Sequence, residues 1–137
     1  MTYRDIVRVQ LKVDEGVRVK PYRDSVGKLT IGVGRNLDDV GISAKELEFL
    51  LDNDIDAAEK TAQTLFPSFD ELSDARKAVL VNMAFNVGQA RLSGFSKLRA
   101  AVERKDFEAA SREMLDSGWA SQVGPRATRL AAQMRNG

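Results

Sequence analysis

Cysteine and histidine are both missing from the 137 residues. Without cysteine there is no disulfide, no thiol nucleophile and no thiolate metal site. Without histidine an imidazole base is excluded, and with it nearly every transition-metal site. Proton transfers in an enzyme of this composition fall to Asp, Glu, Lys or Tyr. A pair of carboxylates in a cleft is the simplest arrangement left. Apolar runs are only a few residues long, so no stretch is expected to insert stably in a membrane. The opening Met-Thr-Tyr-Arg-Asp-Ile-Val-Arg carries no hydrophobic segment of the kind that directs export.

What is present describes an ordinary globular chain, with 43% hydrophobic and 30% charged residues. The length supports one core, or two small lobes sharing it, and is read as a single domain, 1–137. Net charge is only +1 but unevenly spread: residues 1–35 hold eight basic and four acidic side chains, 36–75 two and eleven, 76–137 eleven and five. Basic first and last segments would attract a polyanion.

The most informative stretch runs from Glu15 to Gly34. Asp14-Glu15-Gly16 reads as a helix end, with Gly16 wanted in a left-handed cap. Val17, Val19 and Pro21 alternate with Arg18, Lys20 and Tyr22, the period-2 pattern of a half-buried strand. Asp24-Ser25-Val26-Gly27-Lys28 carries turn residues, and Leu29 to Val33 reads as the return strand. A hairpin folded beside a helix end brings Glu15 and Asp24 towards one place, with Thr30 on the second strand.

Elsewhere the pattern is helical. Thr2 and Asp5 open a helix over about 3–15. After a polar Arg35–Ile42 connection, Ser43 and Glu46 form a capping box, and Leu47, Leu50, Leu51, Ile55, Ala58, Ala62 and Leu65 follow at helical spacing to Pro67. The run from Ala78 to Val87 is apolar nearly all round and belongs inside a bundle, closed by Gly88. Its two amides, Asn82 and Asn86, share one face and need a cleft or a polar neighbour. Helices are expected from Phe95 to Glu103, from Asp106 through Met114, and after Gly124-Pro125. Trp119, Met83 and Met114 read as core.

The spacing Glu15, Asp24, Thr30, followed by Ile31-Gly32-Val33-Gly34, resembles the catalytic signature of bacteriophage-type lysozymes, the endolysins of glycoside hydrolase family 24. Asn82-Met83-Ala84-Phe85-Asn86-Val87-Gly88, Gly94-Phe95, Ser117-Gly118-Trp119 and Pro125-Arg126-Ala127-Thr128-Arg129 are similar to that family's later helices, in order. The resemblance implies an α+β, mostly helical fold. A small hairpin lobe (about 15–42) and a long connecting helix (about 44–65) would precede a helical bundle (about 68–137), joined by the N-terminal helix.

It further implies hydrolysis of the β-1,4 bond between N-acetylmuramic acid and N-acetylglucosamine in peptidoglycan, with inversion. Glu15 would be the acid, Asp24 the base or electrostatic partner, and Thr30 the positioner of the attacking water. A general acid and a second carboxylate are what glycosidic cleavage requires. Inversion sets them farther apart than the ~5–5.5 Å of a retaining pair. Phe85 and Asn86 match groove positions; Asn36 and Glu113, where the local sequence departs further, are additional substrate candidates. Arg126 is expected near Glu15 and Arg129 near Asp14, as supporting ion pairs. The family commonly has histidine where Arg35 stands, and an Arg35–Asp54 ion pair is expected instead.

No cofactor or metal is implied. The expected partner is peptidoglycan, not nucleic acid, and the expected state a monomer. The expected setting is the cytoplasm of a bacterial host, with release to the wall through a holin-type lesion. A non-catalytic wall-binding module, a lytic transglycosylase on the same scaffold and a cationic membrane-active protein are the alternatives.

Overall fold

The computed structural model describes every residue, Met1–Gly137. Helix α1 (Tyr3–Glu15) is followed by strands β1 (Arg18–Arg23), β2 (Leu29–Gly32) and β3 (Arg35–Asn36), then by α2 (Ala44–Leu65), a 3-10 turn at Phe69–Glu71, and α3 (Asp74–Ser93). The chain ends with α4 (Ser96–Glu103), α5 (Phe107–Leu115), α6 (Gly118–Val123) and α7 (Pro125–Asn136). This is an α+β, mostly helical architecture. Two compact units divide it, Met1–Phe49 and Leu50–Gly137.

The first unit holds α1, the sheet and the start of α2. Thr2 caps α1 reciprocally: Asp5 N donates to Thr2 Oγ1 at 3.3 Å and Thr2 N to Asp5 Oδ2 at 3.0 Å. Gly16 ends α1 with φ 77° and ψ 168°. That is an extended conformation at positive φ, open essentially to glycine alone, rather than the left-handed helical cap expected. It turns the chain directly into β1.

The sheet is antiparallel in the order β1-β2-β3, one short strand more than the hairpin read from sequence. The alternation read in β1 is absent, every residue of the strand except Tyr22 being exposed. Val19 is 89% exposed while Tyr22 is half-buried. The reason is an irregularity: Arg18 pairs with Gly32 and Tyr22 with Thr30, so four steps on β1 oppose two on β2. A bulge of this kind shifts which side chains face inward.

In the second unit, side-chain caps open α3 and α5. Ser73 accepts from Arg76 N at 3.2 Å and Asp106 from Ala109 N at 3.0 Å. Pro125 opens α7 at the position where its missing N–H costs nothing. Gly88 breaks α3 at φ 80°, and a further short segment runs on to Ser93. α5 and α6 are separated at Asp116–Ser117, and Ser117 opens α6 by accepting from Ala120 N at 3.3 Å.

All 22 buried hydrophobic residues lie at Ala58 or later. Trp119, Phe66, Leu80, Met83, Leu92, Leu98, Met114 and Met134 are the largest of the fully buried side chains, and removing each large aliphatic side chain from water is worth about 1.5–3 kcal/mol. α5 packs against α4 and α7, and α7 against α3. Arginines satisfy the helix ends that this packing leaves open. Arg99 donates to the Leu65 carbonyl at 3.2 Å and the Ser93 carbonyl at 3.0 Å, closing α2 and α3. Arg76, stacked 3.6 Å from the Phe107 ring centre, donates to the carbonyls of Met134 and Arg135 and ties the end of α7 to the start of α3.

Candidate active site

Three elements of the first unit carry the predicted catalytic residues. Glu15 is the last residue of α1, and Gly16 lets the chain leave the helix at once, so the carboxylate projects from an exposed end. It lies against the turn between β2 and β3. A Cβ added at Gly34 would stand 2.9 Å from Glu15 Oε2 and 3.1 Å from Cδ. Any side chain at 34 would therefore displace the carboxylate, and the φ of 67° there disfavours one in any case. The Gly32-Val33-Gly34 motif thus has a spatial reason that its sequence does not display.

Asp24 sits in the β1–β2 turn and braces it. Its Oδ1 accepts from Val26 N at 3.0 Å and Lys28 N at 2.8 Å, while its own N–H donates to the Lys28 carbonyl at 2.9 Å. Both side-chain bonds fall on one oxygen, Oδ1. Asp is common in turns for this bracing.

Thr30, on the central strand, is only 3% exposed. Its hydroxyl donates to the Lys28 carbonyl at 2.9 Å, so what remains is acceptor capacity alone. Thr30 stands between Tyr22 on β1 and Asn36 on β3. The Asn36 amide is taken up locally, donating to Asp39 Oδ2 at 3.0 Å and accepting from Asp39 N at 2.9 Å. Its place beside Thr30 is a matter of backbone pairing.

Arg35 pairs with Glu46 instead of the expected Asp54. Its Nη1 lies 2.7 Å from Glu46 Oε1 and also donates to the Gly41 carbonyl at 3.2 Å. Glu46 closes the capping box of α2, accepting from Ser43 N at 2.9 Å while Glu46 N donates to Ser43 Oγ at 3.1 Å. The Arg35 hydrogen bond and then those of Ser43 hold the Glu46 carboxyl down at about 2, and Glu46 in turn raises Arg35. The capping box was legible; its use as the anchor of a strand was not, because nothing local relates 35 to 46.

The remaining candidates lie in the second unit, apart from Asp14, which is exposed on α1 beside Glu15. Phe85 is 50% exposed and, with Leu51, Ile55, Val81, Asn82 and Arg126, lines a concavity of about 680 Å³. Arg126 Nε and Nη2 both donate to Asn82 Oδ1, at 3.0 and 2.6 Å. Asn86, one residue beyond Phe85, accepts from the indole of buried Trp119 at 2.8 Å. The two amides therefore have polar neighbours, one an arginine and the other a tryptophan, although neither is itself buried. Glu113 is half-buried beside a separate hollow of about 430 Å³ at the start of α4, and Arg129 is exposed on α7.

The phage lysozyme family model matches residues 12–135, a span that takes in Glu15, Asp24 and Thr30. The chain belongs to the phage lysozyme family. The chain is a glycoside hydrolase. It is 29% identical to the probable T4-type lysozyme 2 of Dictyostelium discoideum over 93% of this chain and 92% of that one. The probable T4-type lysozyme 1 of the same organism is 27% identical over 96% and 94%. The endolysin of Salmonella phage P22 is 30% identical over 77% and 76%. No helix of the chain is long and apolar enough to cross a membrane.

Proposed function

We propose that this lysozyme cleaves the β-1,4 bond between N-acetylmuramic acid and N-acetylglucosamine in bacterial peptidoglycan, with inversion at the anomeric carbon. The supporting observation is the assembly within one unit of a helix-terminal carboxylate resting on Gly34, a turn carboxylate with one oxygen uncommitted, and Thr30 on the strand between. In that reading Glu15 delivers its proton to the departing glycosidic oxygen. Asp24 receives a proton from the water that attacks the opposite face of the sugar. Inverting pairs leave room for that water at carboxyl separations of ~6.5–9.5 Å. With its own hydrogen given to Lys28, Thr30 orients a water only by accepting from it.

Phe85 and Arg126 offer an apolar and a cationic surface to a polysaccharide bearing anionic stem peptides. Asn86 serves Trp119 first, and its role toward sugar is secondary. The similarity to a phage endolysin supports a role in host-cell lysis. We place the lysozyme's action as a monomer on the wall, after accumulation in the host cytoplasm and release through a membrane lesion, with no nucleic-acid partner.

The test is product analysis with a paired variant. NMR of freshly cut oligosaccharide should show the α-anomer at the new reducing end. Glu15→Gln should cost about 10²–10⁴-fold in rate, the range of a positioned proton donor. Retention of configuration, anhydro-muramic ends, or equal activity of the Gln variant would each reject the assignment.

A further inference from the structure

The turn that carries Gly34 is anchored by its neighbour in sequence. β3 is two residues long and meets β2 only through Thr30–Asn36 and Ile31–Arg35. So short an edge strand is weakly held by pairing alone. Arg35 adds a charge-assisted tie, from Nη1 to Glu46 Oε1 at 2.7 Å and to the Gly41 carbonyl at 3.2 Å. The same Glu46 oxygen accepts from Ser43 N, so the strand is fixed to the first turn of α2. Gly34, covalently next to Arg35, is the surface against which Glu15 Oε2 rests.

We propose that Arg35 is a positioning residue for glycosidic cleavage: bound to Glu46 and Gly41, it holds the Gly32–Gly34 turn where that turn aims the Glu15 carboxylate. The proposal rests on the assignment of Glu15 as the acid. Arg35 acts through Gly34 and needs no contact with substrate. Glu46, held at about 2, stays ionised at any pH compatible with growth, so the tie is permanent and not a switch.

Initial rates on soluble, un-cross-linked peptidoglycan strands would be measured for the parent, Arg35→Gln, Arg35→Lys, Gly34→Ala, Glu46→Gln and Glu15→Gln, each checked for folding by circular dichroism. Misplacing a reacting group by about 1 Å costs roughly 10²-fold, and Gly34→Ala should lose about that much in kcat. A smaller displacement in Arg35→Gln should cost about tenfold in kcat with KM within about twofold. Arg35→Lys keeps a cation opposite Glu46 and should recover most of the loss.

A folded Arg35→Gln with parental kcat, a change in KM alone, or no recovery with lysine would overturn the proposal. If Arg35→Gln does not fold, Glu46→Gln decides: it preserves the Ser43 cap and removes the charge, and parental kcat there would equally overturn it. Glu15→Gln keeps the two readings apart. Its full activity would reject the acid assignment, whereas an inactive Glu15→Gln beside an unaffected Arg35→Gln would reject positioning alone.

Discussion

At the scale of single residues, the polar side chains here have two employers, and the geometry says which comes first. Asn86 looked like a groove residue, yet its carbonyl is the partner of a tryptophan that is 1% exposed. Leaving a buried donor unpaired costs about 1–3 kcal/mol. Asn86→Ala should therefore lower stability by about that amount, read from the urea midpoint, and its KM should move less than its stability. A large rise in KM with an unchanged midpoint would restore Asn86 to the substrate. Asp24 shows the opposite balance, because its bracing bonds share one oxygen and leave the other uncommitted.

At the scale of elements, α2 is the piece whose first turn does more than start a helix. Its capping box is closed by a glutamate that also receives Arg35. Because the folded state lowers the Glu46 carboxyl from 4.5 to about 2, the unfolded chain binds its proton more readily. The resulting stability is present above about 4.5 and lost as pH falls through about 2. Urea midpoints of the parent and Glu46→Gln should therefore differ at neutral pH and converge as pH approaches 2. A constant gap across that window would mean that the carboxylate's charge contributes nothing. α6 carries the converse lesson: its six residues, Gly118–Val123, gave no periodicity to read, and its tryptophan, Trp119, is buried in the core.

At the scale of the whole molecule, stability has no covalent help, since the chain has no disulfide. It rests on the single apolar cluster of the second unit. Leu80, fully buried at 0% exposure on α3, sits within it. Leu80→Ala should cost about 2–5 kcal/mol, a large share of the roughly 5–15 kcal/mol that holds a domain folded. A calorimetric loss under about 1 kcal/mol would mean the cluster collapses around the gap more readily than packed cores do.

By itself, the sequence determined what is local. Helix starts at Thr2, Ser43, Ser73 and Asp106, the stop before Gly16, the break at Gly88 and the turn at Asp24 follow from backbone donors and dihedral limits within a few residues. Glu15, Asp24 and Thr30 were singled out by the resemblance of their spacing to the phage-type lysozyme signature. Only tertiary structure decided the rest. The bulge that turns Val19 outward, the partnership of Arg35 with Glu46, the Trp119–Asn86 bond and the seat of Glu15 on Gly34 join positions many residues apart. Such pairings are set by how strands register and side chains fill space, and no periodicity along the chain encodes them.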